Sequence, residues 1–110
     1  MMIDFKQKIL GLKGEEIDDI IEMQTNGGTK IVLTLAAAVS QSLCYSYPSE
    51  QNISGKEKFR RAKLALEILE SSGPLELKSE DVTLVKELLA KLYSPTVVYR
   101  AWQMIDPAEK

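Results

Sequence analysis

Thr34-Leu35-Ala36-Ala37-Ala38-Val39-Ser40-Gln41-Ser42-Leu43-Cys44-Tyr45-Ser46-Tyr47 divides the chain into two parts of different character. Thr34 has the side-chain oxygen that caps a helix start, Ala36-Ala37-Ala38 is the strongest helix-forming run in the chain, and Pro48 stops the segment. The pattern predicts a helix over residues 35–47 with Leu35, Val39 and Leu43 on one ridge. Its polar positions, Ser40, Gln41, Ser42 and Ser46, carry no charge. A helix with no charged face is covered on more than one side, by its own domain or by another subunit, so Leu35, Ala38, Val39 and Leu43 are candidates for an interface between copies.

Before this stretch, β-branched residues alternate with turn chemistry. Lys13-Gly14 and Asn26-Gly27-Gly28 suit tight reversals, because glycine and asparagine tolerate positive φ. Segments 3–12, 17–23 and 29–33 are therefore predicted to form a small antiparallel sheet. The spacing of Ile17, Ile20 and Ile21 also fits a short helix ended by Gly27, so residues 15–24 stay open between strand and helix.

After it, three capped amphipathic helices follow. Ser54-Gly55-Lys56-Glu57 reads as a capping box opening a helix over residues 56–70. Phe59, Ala62, Leu66 and Leu69 recur at helical spacing and are predicted to be its core stripe, and Ser71-Ser72-Gly73-Pro74 ends it with a glycine at the left-handed position. Ser79 caps a helix over 80–93, with Glu80 and Asp81 in the first turn, Lys91 in the last, and Val82, Val85, Leu88, Leu89 and Leu92 inward. Ser94-Pro95 starts a helix over 95–105 that buries Val97, Val98, Ala101, Trp102 and Ile105. The fold class is α+β, mostly helical. A single domain of 110 residues is expected, with a β-rich part (1–33), a helical part (34–106) and a short tail (107–110).

Composition narrows the chemistry. There is no histidine, which removes the usual base near neutral pH and the commonest zinc ligand. The lone Cys44, between Leu43 and Tyr45, reads as a small inert hydrophobe. A net charge of −2 argues against a protein that coats nucleic acid. Residues 31–49 are interrupted by Thr34, Ser40, Gln41 and Ser42, so no membrane span is expected, and no secretory signal precedes them. A cytoplasmic protein with no catalytic residue, metal or cofactor is the expectation.

Two charged clusters stand out. Lys56, Lys58, Arg60, Arg61 and Lys63 crowd the first two turns of the 56–70 helix, against the positive end of its dipole, where each cation costs roughly a few tenths of a kcal/mol. They are the candidate anion site, for nucleic acid or a small nucleotide. Glu15, Glu16, Asp18, Asp19 and Glu22 lack the alternating spacing of a calcium loop and read as a solvated acidic face.

The series Leu33-Thr34-Leu35, Ser54-Gly55-Lys56-Glu57-Lys58, Arg61, Lys63-Leu64-Ala65, Ile68, Pro74-Leu75-Glu76-Leu77, Glu80-Asp81-Val82, Lys86 and Tyr93-Ser94-Pro95-Thr96-Val97-Val98 with Ala101-Trp102 resembles small proteins of tailed bacteriophages and prophages. The likeness covers about residues 33–105, and its distinctive pieces are the start of the basic helix and the Tyr-Ser-Pro turn. That group has no assigned activity, so the resemblance implies a phage origin, and with it a host bacterial cytoplasm. The resulting expectation is a noncatalytic accessory protein that associates with itself and with a host or phage protein. An anion binder is the alternative.

Overall fold

Gly14 lies at φ +84°, in the left-handed region that glycine enters without steric cost, and reverses the chain. The turn is closed by the Gly11 N–H donating to the Glu15 carbonyl (2.7 Å) and the Gly14 N–H donating to the Gly11 carbonyl (3.0 Å). Leu10 then pairs antiparallel with Glu16, and a Cβ on Gly11 would collide with the Glu15 side chain folded over it. The computed structural model describes residues 2–20, 27 and 31–107. Within them Leu33 is the middle of three extended segments. Its N–H donates to the Ile17 carbonyl (2.7 Å), and its carbonyl accepts from Ile9 (2.9 Å). The antiparallel arrangement expected of this part is therefore present as bridges, Lys8 with Thr34 and Asp18 with Val32, in place of long ladders. The rest of the 17–23 and 29–33 segments, and Asn26 and Gly28, fall outside the described residues; Gly27, at φ +68°, has the conformation a reversal requires.

The regular strand pairing lies elsewhere. Strand β1 (Met2–Ile3) pairs antiparallel with β2 (Leu75–Glu76), Ile3 opposite Leu75, so the start of the chain is sealed by a segment more than 70 residues later.

Four helices follow the N-terminal part: α1 (Leu35–Cys44), α2 (Gly55–Glu70), α3 (Ser79–Leu92) and α4 (Pro95–Ile105), with a 3-10 turn at Pro48–Glu50. Thr34 Oγ1 accepts from the Ala37 N–H (3.1 Å) and Ser54 Oγ from the Glu57 N–H (3.1 Å), the caps read from sequence. Helix α1 stops three residues before the predicted 47, where Tyr45 turns extended (ψ 142°) and lets Tyr47 fold back, donating to the Ser42 carbonyl at 2.7 Å. Helix α3 begins at Ser79 with Lys78 at the cap position, so the Ser79 hydroxyl is not the cap. Gly73 does not take a left-handed conformation either; α2 ends at an extended Ser71 whose N–H reaches the Ile68 carbonyl.

Helix α1 is the centre of the fold, packed against α2 and α3, while α4 packs on α3. Leu35, Ala38, Val39 and Leu43 are buried together with Ile3, Phe5 and Ile9 from the first segment and with Ile68, Val85, Leu89 and Ala101 from the helices around them. Each such Leu or Ile side chain contributes about 1.5–3 kcal/mol through removal from water. Among the described residues no helix is long and apolar enough to cross a membrane.

Candidate functional site

Successive residues of an α-helix are set about 100° apart, and α2 has apolar residues on two opposite faces. Leu64, Ala65 and Ile68 point into the core. Phe59, Leu66 and Leu69 point out, with 71%, 55% and 59% of their surface exposed, and Ala62 between them is exposed as well. The stripe predicted to be core is thus the outer face. The inversion has a definite cause. Arg61 occupies the inward face, only 6% exposed, and a cation there disguises the inner stripe as a polar one.

Burying a guanidinium requires that its donors be matched. Glu50, on the 3-10 turn, accepts from Arg61 through both oxygens (2.7 and 2.9 Å), and Glu57 Oε2 accepts from Arg61 Nε (3.0 Å). Arg60 is shared between Glu57 (3.1 Å) and Asp81 of α3 (2.6 Å). Lys91 lies 3.7 Å from Glu50. The capping-box carboxylate therefore turns to the two arginines, and the cations at the start of α2 are offset by acids from the preceding turn and from α3. Hydrogen bonds from Arg61 hold the Glu50 carboxyl below its ordinary value, and those from Glu50 raise Arg61. Burial opposes the charge on Glu57, yet its bonds from Arg61 and Arg60 bring it below the ordinary value too. Beside this network Tyr47 is buried, donates to the Ser42 and Leu88 carbonyls (2.7 and 3.2 Å), and is pushed up to about 12 by burial first and by the Glu50 charge second.

Of the five candidate anion-binding residues, Arg60 and Arg61 are thus consumed inside the protein. Lys56, Lys58 and Lys63 are exposed and form no ion pair among the described residues. The candidate interface residues Leu35, Ala38, Val39 and Leu43 are covered by the chain's own elements, so none presents a surface to a second subunit. The exposed apolar surface belongs to α2.

The remaining candidates separate. The acidic cluster does not converge: no group able to hold a metal ion forms among the described residues, Glu16 pairs with Lys8 (2.8 Å), and Glu22 lies outside them. Asp19 is not solvated as expected but buried, each oxygen accepting from Gln41 Nε2 at 3.1 Å, while the Tyr93 hydroxyl donates to Gln41 Oε1. Burial and the Asp19 charge push Tyr93 upward. Cys44, expected to behave as a packed hydrophobe, is exposed at the rim of a cleft of about 450 Å³ between the end of α1, the 3-10 turn and α2. Trp102 is half-buried, its Nε1 donating to the Lys86 carbonyl (3.1 Å) with Lys86 Nζ 4.7 Å above the ring.

No protein family, curated protein or solved structure matches this chain.

Proposed function

We propose that this is a noncatalytic accessory protein of phage origin that acts by binding protein, itself included, through the outer face of α2. One observation carries the reading: Phe59, Leu66 and Leu69 are exposed together on a helix whose opposite face is locked into the core by Leu64, Ile68 and the Arg61 pairs. Clustered apolar exposure marks interaction sites, and a rigid support reduces the entropy lost on docking. The resemblance of residues 33–105 supports the phage origin, and a sequence without histidine supports a role without turnover. The nucleic-acid or nucleotide reading is weaker because two of its five cations are already held by carboxylates.

A photo-reactive phenylalanine analogue placed at Leu66, with a control at the exposed Lys13, tests the reading in living cells. Irradiation should give a discrete protein adduct from position 66 and none from position 13. No adduct, or the same adducts from both, overturns it. Steeply salt-dependent binding of a polyanion, lost when Lys56, Lys58 and Lys63 are changed to glutamine, would install the alternative.

A further inference from the structure

We propose that the occupant of this face is a second copy of the chain, its α2 lying antiparallel to the first across a two-fold axis. This rests on the reading that the outer face of α2 is a binding surface, and it names the partner.

The stripe is symmetric about Leu64: Phe59 and Leu69 lie five residues to either side, Ala62 and Leu66 two. Two copies docked antiparallel about that midpoint set Phe59 against Leu69 and the small Ala62 against the large Leu66, with each contact occurring twice, as an isologous interface requires. The charges distinguish this arrangement from others. At about 100° per residue, Lys56, Lys63, Glu67 and Glu70 fall along one flank of the stripe, cations in its first half and anions in its second. All four are exposed. Antiparallel docking brings like flanks together in opposite directions, so Lys56 of one copy lies across from Glu70 of the other, within two residues of exact register, at both ends of the interface. Parallel docking would instead set this flank against the opposite one, bringing Lys63 of one copy against the exposed Lys58 of the other, and would align the two helix dipoles unfavourably.

Sedimentation equilibrium on the full chain tests this with Lys56→Glu, Glu70→Lys and their equimolar mixture. The wild type should dimerise. Each variant alone faces like charges twice across the axis and should dissociate about tenfold more readily. The mixture should recover the wild-type affinity, because each reversed position then faces the opposite charge on the other copy; a purely intrahelical effect of the same substitutions would not be rescued by mixing. Leu66→Glu should abolish the dimer while keeping the far-ultraviolet dichroism and melting temperature of the dilute protein. A wild type that stays monomeric at millimolar concentration, or a mixture no tighter than its components, overturns the proposal. If position 66 meanwhile crosslinks to a different protein, the binding-surface reading stands and the second copy is the wrong partner; if it crosslinks to nothing, both fall.

Discussion

Arg61 is the residue on which the architecture of α2 turns. Its fork joins Glu50 on the 3-10 turn to Glu57 on its own helix, and its removal leaves two carboxylates facing a site shaped for a cation. Arg61→Met should destabilise the protein by about 2 kcal/mol, below the 3–5 kcal/mol of a fully buried pair because Glu50 and Glu57 keep some contact with water. Arg61→Lys should recover little, since an ammonium cannot reproduce the two-pronged bond. Both are read by urea unfolding at neutral pH. The same carboxylates set an acid limit. Glu50 and Glu57 titrate below 4.5 when folded, so their stabilisation is complete above the unfolded value and is lost as pH falls through the folded values. Unfolding free energy should be flat above about pH 6 and decline below about pH 4.5, with a shallower decline in Arg61→Met; equal slopes in the two proteins would remove the network from the account. Tyr47 contributes to the alkaline limit. Its phenol is raised from 10.0 to about 12, so folding favours the neutral form and the associated stability is lost as pH rises from 10 towards 12. Tyr47→Phe should cost about 1 kcal/mol at neutral pH, for hydrogen bonds to Ser42 and Leu88, and should weaken that alkaline loss.

Among the elements, α2 gives the sharpest contrast. Leu64→Ala and Ile68→Ala should each cost about 3 kcal/mol, while Leu66→Ala and Leu69→Ala should change the stability of the dissociated chain by less than about 0.5 kcal/mol. Thermal unfolding of dilute protein measures all four, and a reversed order would return the outer stripe to the core. The helices themselves were legible because capping is local: Thr34 and Ser54 bond backbone N–H groups three residues on. The inward faces of α3 and α4 were legible for a related reason, since Val82, Val85, Leu88 and Leu89, and Val97, Ala101 and Ile105, each form one stripe with no competitor. On α2 two stripes compete. What decides between them is the position of Glu50, which makes a buried arginine tolerable and which no periodicity within residues 55–70 encodes. The site was illegible for that reason: its outward face is defined by what the inward face can accept.

At the scale of the whole molecule, the closing contact is the pairing of Met2–Ile3 with Leu75–Glu76. Strands of two residues carry no alternation to read, so a sequence that announces its Lys13-Gly14 turn gives no sign of this partner. Ile3 is nonetheless fully packed, and Ile3→Ala should cost about 2–3 kcal/mol, near the value for a central position despite its place at the edge of the chain. A loss below about 0.5 kcal/mol on chemical denaturation would show that the strand pair is dispensable. The pairing also sets an order of events during synthesis. At roughly 5–20 residues per second, an interval of about 4–15 s separates the making of Ile3 from that of Leu75. Phe5 and Ile9 meet their partners Ala36 and Leu33 early in that interval, whereas Ile3 waits to its end, so the edge of the fold is the last part of the N-terminal segment that can close.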